Sequence, residues 1–126
     1  MNVGYTFDTG ALIAVDRGDR RVALLLSRAG ERSGTITIPA SSLAQAIRAP
    51  QRQARLVRLV RDRGTRVIAL DQPVATRVGR LLAASGTADV VDAHVVVCAR
   101  QAGTTVVTSD PDDLRRLDAT LPIFAL

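Results

Sequence analysis

Four aspartates in this 126-residue chain stand where their side chains could act together: Asp8, Asp89, Asp92 and Asp110. Asp8 directly follows one β-branched and aromatic run, Asp110 closely follows another, and Asp89 and Asp92 stand three apart, on one face of the first turn of a helix. If the two runs are neighbouring parallel strands, Asp8 and Asp110 share a pocket at their carboxyl ends, and the Asp89/Asp92 helix feeds the second of them. Carboxylates gathered in this way repel one another unless a cation neutralises them. An oxygen-only set without His or Cys selects hard ions such as Mg²⁺ or Mn²⁺. Such an ion polarises a phosphodiester oxygen and lowers the pKa of a bound water, which is the chemistry of metal-dependent nucleases. Each acid also has a plainer reading as a helix cap, Asp89 with Asp92 as a capping box. Caps alone do not explain why the acids collect at adjacent strand ends. Asp112 and Asp113 fall in the first turn of the last helix, where negative charge is favoured for structural reasons.

Other chemistries find little support. His94 is the only histidine, which excludes acid–base catalysis by a His pair, and two residues beyond Asp92 it projects from a different side of the helix. Ser41, Ser42 and Ser109 have no His or Lys to activate them. Cys98, the one cysteine, sits in an apolar run and reads as core. All 17 basic residues are Arg. The absence of Lys argues against receiver domains and haloacid-dehalogenase phosphatases, and the further absence of a glycine-rich GK[ST] run excludes P-loop nucleotide switches. The formal charge of +5 favours polyanionic partners. The densest basic cluster holds Arg48, Arg52, Arg55, Arg58 and Arg61, followed by Arg63 and Arg66; it is either a solvated helix face or a groove that tracks phosphates. With Tyr5, Phe7 and Phe124 as the only aromatics, recognition of RNA would rest on backbone charge and shape rather than base stacking.

The elements that must position these residues alternate. Strands are expected over 3–7, 35–38, 66–70, 104–108 and 122–125. Helices are expected over 11–15, 19–28, from a Ser41 or Ser42 cap to Ile47, and over 51–62, 73–84, 89–102 and 111–117, with Pro50 as a break and Gly86 as a stop. Strands alternating with helices imply one α/β domain, residues 1–126, with a mainly parallel sheet covered on both faces. The N-terminus carries no signal-peptide pattern and no apolar stretch reaches spanning length, so a cytoplasmic protein without membrane attachment is expected.

The chain resembles a PIN domain of the VapC type, the toxin of bacterial toxin–antitoxin pairs. The likeness spans FDTGALIA around Asp8, PASSLAQAIR, DVVDAHVVVCAR and VTSDPDDLRRL, and lies in their order and spacing rather than in one motif. It implies a three-layer α/β/α sandwich, an acidic pocket for Mg²⁺ or Mn²⁺, a homodimer, and RNA cleavage restrained by a cognate antitoxin. On this resemblance Asp8, Asp92 and Asp110 match the first, third and fourth acids, Asp89 is an additional metal-binding carboxylate, and Thr9 and Ser109 match supporting polar neighbours. The second acid, usually Glu, is replaced by Gln45, which brings no charge and takes no proton. Two alternatives follow: a catalytically weak PIN-like module that binds RNA or protein, and a metal nuclease directed at DNA.

Overall fold

Alternation of side chains along short strands divides the interior into two cores. In the computed structural model, which describes residues 4–126, Val107 packs with Phe7, Leu12, Ile38 and Leu56 on one face of the sheet, while its neighbour Val106 packs with Val95, Val96, Leu114 and Leu117 on the other. Val3, expected to open the first strand, lies outside the described residues.

The elements in chain order are β1 (Tyr5–Phe7), α1 (Thr9–Asp16), α2 (Arg20–Glu31), β2 (Ile36–Pro39), α3 (Ala40–Ala46), a 3-10 turn (Pro50–Arg52), α4 (Ala54–Arg61), β3 (Thr65–Ile68), α5 (Gln72–Ser85), α6 (Val90–Ala102), β4 (Thr105–Thr108), α7 (Pro111–Leu117) and β5 (Ile123–Ala125). All strand pairings are parallel, in the order β3-β2-β1-β4-β5. The α1, α2 and α4 side chains fill the first core, those of α5, α6 and α7 the second, so the expected α/β/α sandwich is the observed one. The order reverses where β1 meets β4, with Phe7 opposite Val107.

Local chemistry explains most boundaries. Asp19 caps α2 through the Arg21 and Val22 amides, Asp71 caps α5 through Val74, and Gly86 closes α5 in the left-handed region at φ 67°. Amphipathic α4 buries Leu56 and Leu59 and exposes its arginines. In α6 every residue of 93–99 is buried, because the helix is enclosed by the sheet and its neighbouring helices. Among the described residues no single helix is long and apolar enough to cross a membrane.

Two expectations at α3 and α4 are corrected. Neither Ser41 nor Ser42 caps α3: the helix starts at Ala40 straight from Pro39, with no side-chain cap. The helix expected over 51–62 begins as the 3-10 turn, because buried Gln53 interrupts it; its Oε1 accepts from the Arg48 and Ala49 amides at 3.0 and 3.1 Å, and its Nε2 donates to the Ala46 carbonyl at 3.0 Å. One side chain thus satisfies the backbone left open around Pro50.

Behind β1, the Thr6 and Thr104 hydroxyls share a buried hydrogen bond of 2.7 Å. Thr6→Val should cost about 1–3 kcal/mol by stranding the Thr104 hydroxyl, and adding Thr104→Val should recover most of the loss. Urea denaturation of the three variants measures this; a double variant no better than the single would show that the two hydroxyls are not coupled.

Candidate metal centre

The end of β1 delivers Asp8 to the carboxyl edge of the sheet. Its amide donates to the Val107 carbonyl of β4 at 3.3 Å, and its Oδ1 accepts from the Ala11 amide at 2.9 Å, capping α1. The plainer reading of Asp8 as a cap therefore holds, and it fixes the carboxylate: the side chain is buried and can rotate only by giving up that bond. Burial pushes its pKa above the usual carboxylate value, with Asp110 acting in the same direction, while the Thr108 hydroxyl and the backbone amides oppose it.

Two residues past β4, Asp110 sits at the start of α7, but its side chain makes no cap. Its amide instead donates to Thr108 Oγ1 at 2.8 Å, which folds the turn back over the strand end. Gly10 makes the close approach possible, since a Cβ there would overlap Ser109 Oγ. The first turn of α1 thereby rests directly on the turn carrying Ser109 and Asp110.

From the far side of the edge comes α6. Asp89 caps it, accepting from the Asp92 amide at 2.9 Å, so its carboxylate is partly committed. Asp92 is half-buried, and its pKa is pushed up to about 6, first by burial and then by Asp89, Asp113, Asp8 and Asp110 in that order. Each of the four proposed acids thus belongs to one electrostatic neighbourhood, with Asp113 as a fifth that was read from sequence as a dipole residue only. The ion pairs among the described residues are Arg21–Asp19, Arg100–Asp118, Arg115–Asp112 and Arg116–Asp113; none engages Asp8, Asp89, Asp92 or Asp110.

Oxygen donors carrying uncompensated charge suit a hard divalent cation. Among the described residues, however, no three His, Cys, Asp or Glu side chains stand close enough to hold an ion as they are placed. A cation would have to draw in carboxylates that repel one another without it.

Gln45 reaches the same edge from α3: Thr9 Oγ1 donates to its Oε1 at 2.8 Å. Thr9 therefore ties the second-acid position to the residue following Asp8. The basic cluster lies elsewhere. Arg55 donates to the Asp16 carbonyl at 3.3 Å, at the end of α1 opposite Asp8, and with Arg58 lines a groove of about 750 Å³ between α2 and α4. Arg48 donates to the Ala44 and Ile47 carbonyls at 3.0 and 2.7 Å, closing the end of α3. Arg52 and Arg61 are exposed. Glu31 ends α2, ahead of β2 and away from the acids.

Sequence reasoning missed Thr108 and the Ser41–His94 pair. Thr108 is buried at the end of β4 and touches the two acids flanking it in space; a threonine closing a strand two residues before an acid was the available signal. His94 is fully buried, with Nδ1 at 2.7 Å from Ser41 Oγ and Nε2 without a hydrogen-bond partner among the described residues. Burial lowers its pKa, against smaller effects of the Ala69 backbone and Asp71. It joins α6 to α3 from within. Cys98 is core, its thiol pushed up to about 12 by burial.

A model of the PIN domain matches residues 5–119. The chain belongs to the PIN domain family. Its fold is similar to chains in three solved complexes: VapBC2 from Rickettsia felis bound to a promoter DNA fragment (TM-score 0.68, 16% identity, 98% of each chain), DNA-bound VapBC from Salmonella typhimurium (0.67, 20%, 99% of this chain and 98% of the other), and FitAcB from Neisseria gonorrhoeae (0.63, 17%, 95% and 96%). No curated protein matches the chain by sequence. PIN domains generally depend on a divalent metal, in keeping with the donor set at this PIN domain's carboxyl edge.

The electrostatics predict a pH dependence. Because the folded-state pKa of Asp92 is raised from 3.8 to about 6, the folded protein binds the proton more tightly than the unfolded chain, and Asp92 favours folding most below pH 3.8. That contribution is lost as pH rises through about 6. Metal-free protein should therefore lose about 1–2 kcal/mol of stability across this interval, after allowance for solvent screening of a half-buried group. In Asp92→Asn the fall should be smaller by this amount, with the raised pKa of Asp8 leaving its own share. Thermal melts from about pH 3 to about pH 7, a range that brackets the shift, decide it; parallel curves for the two proteins would show that Asp92 feels no such field.

Proposed function

We propose that this PIN domain is a Mg²⁺- or Mn²⁺-dependent endoribonuclease of the VapC type, acting in the cytoplasm as a homodimer and restrained by a cognate antitoxin. The observation that carries the reading is the set of unpaired carboxylates at the strand-order reversal, where Asp92 is pushed up to about 6 by burial first and by the charges around it second. Asp8, Asp92 and Asp110, assisted by Asp89, would hold the ion. When bound, it supplies positive charge against a scissile phosphate and acidifies a water molecule.

The chain's own residues have distinct tasks. Asp8, held by the Ala11 amide, is the fixed ligand against which the others adjust. Asp110, uncapped and exposed on its turn, is free to move inward. Thr108 sets the position of that turn through the Asp110 amide, and Thr9 and Ser109 offer hydroxyls at the rim. Arg48, Arg52, Arg55, Arg58 and Arg61 are proposed to meet RNA phosphates outside the acidic edge. The VapBC and FitAcB complexes that share this fold support the antitoxin partner.

A second reading is favoured by one contact. Gln45 Oε1 accepts from Thr9, so the second-acid position supplies neither charge nor a free carboxylate oxygen. A PIN domain lacking that charge could bind RNA or protein with little cleavage.

The purified protein should cleave RNA when given Mg²⁺ or Mn²⁺, stop when EDTA is added, and lose at least about 100-fold in rate in Asp8→Asn, the upper end of what losing even an outer-shell partner of a metal ligand costs. Cleavage surviving both treatments would sink the metal mechanism, and cleavage of DNA but not RNA would redirect the substrate. No cleavage at all, with metal still bound, would select the binding module.

Gln45→Glu separates the roles at the second-acid position. It should tighten metal binding and raise cleavage, and it should rescue the weakened metal binding of Asp89→Asn if the two positions share one charge. Calorimetric titration of the four proteins measures this; identical affinities throughout would remove both positions from the ion.

A further inference from the structure

Away from the carboxylates, α5, α6 and α7 meet around an open groove of about 780 Å³. Its floor is apolar, formed by Leu81, Val97 and Leu117. Around it stand Arg77 and Arg80 from α5, Arg100 from α6 and Arg116 from α7. These arginines are separate from the cluster that the sequence makes conspicuous, since three distant segments contribute them.

Internal partners neutralise only part of this charge. Arg100 pairs with Asp118 at 2.9 Å and Arg116 with Asp113 at 3.7 Å. Arg77 has only the Gln101 side-chain oxygen at 3.5 Å, and Arg80 has no hydrogen bond or ion pair among the described residues. Arg77 and Arg80 are also three apart on one helix, a like-charge arrangement that opposes helix formation. Exposed positive charge surrounding an apolar floor is complementary to a ligand with carboxylates on its flanks and an apolar stripe between them.

We propose that this groove docks an acidic amphipathic helix of a protein partner, its apolar stripe on Leu81, Val97 and Leu117 and its carboxylates toward Arg77, Arg80, Arg100 and Arg116. The apolar floor is what favours a peptide over an RNA backbone, which presents charge but little apolar surface. A second copy docked by two-fold symmetry would set basic groove against basic groove. The site is also distinct from the acidic edge: Arg100 lies eight residues beyond Asp92 on α6, roughly 12 Å along the helix axis. The inference does not depend on whether the acids bind metal.

The test uses the full chain and a fluorescein-labelled synthetic helix of Leu and Glu, about five turns long, with Leu at helical spacing. Fluorescence anisotropy should show binding. A scrambled peptide of the same composition should bind at least about fivefold more weakly, and a Leu–Lys version should not bind. Arg77→Glu with Arg80→Glu should weaken the Leu–Glu helix about tenfold or more, whereas Arg28→Glu with Arg32→Glu, the same change in net charge at the end of α2, should alter it less than about twofold. Circular dichroism confirms folding, and the milder Arg80→Gln should still cost about threefold. Equal binding of the scrambled peptide, no binding of the designed one, or equal losses in both double variants would overturn the proposal. A single-stranded RNA of equal charge that displaces the peptide and loses affinity in Arg77→Glu with Arg80→Glu would overturn it in favour of an RNA track.

Discussion

The parallel pairing of β1 with β4 is the constraint on which the acidic edge depends, because it sets two chain segments a hundred residues apart side by side with their carboxyl ends flush. With Phe7 opposite Val107, the residues just beyond them are Asp8 on one strand and Thr108 to Asp110 on the other. Gly10 lets the two exits touch, and the Thr108 hydroxyl holds the second one in place. Helices depart from this line to opposite faces, leaving the crevice open toward the start of α6. Asp92 needs no special loop to reach it; it is simply the first turn of a helix already buried along most of its length.

The arrangement has an electrostatic cost that the rest of the molecule leaves in place. A chain of net charge +5 has cations enough to pair every acid at the edge, yet its ion pairs form elsewhere. Arg55 is drawn to the far end of α1, Arg48 to the end of α3, and Arg100 to Asp118. The negative edge stays unneutralised, and the neighbouring acids add to the burial that raises the Asp92 pKa. Buried polar groups behind the edge do the positioning: Ser41 with His94 links α3 to α6, Thr6 with Thr104 links β1 to the entry of β4, and Gln53 secures the break between α3 and α4. Each joins segments that carry the acids or Gln45, so the site is supported from within the fold as well as by its own contacts, such as Thr9 with Gln45 and Thr108 with the Asp110 amide.

Much of this was legible in the sequence. Short β-branched runs, Asp and Gly at helix ends and the amphipathic period of α4 are local signals, governed by sterics and hydrogen bonds within a few residues; from them came the alternating elements, and from the reversal rule came the joint placement of Asp8 and Asp110. What local signals could not carry were choices made by distant partners. Ser41 or Ser42 is expected from sequence to cap the helix, but neither does, and Ser41 is held by His94, 53 residues away. Asp110 had the look of a cap and is uncapped, because its turn is held through its amide rather than its carboxylate. Asp113 reads as a favourable helix-dipole charge, and only the packing of α7 beside α6 turns it into a repulsive neighbour of Asp92. The arginines that are dense in sequence fall away from the acids, while those that gather around the second groove are scattered. Proximity along the chain dictates caps, periods and strand ends; which side chains then face one another depends on strand order and helix packing, and those are fixed by burial of apolar surface summed over the whole domain.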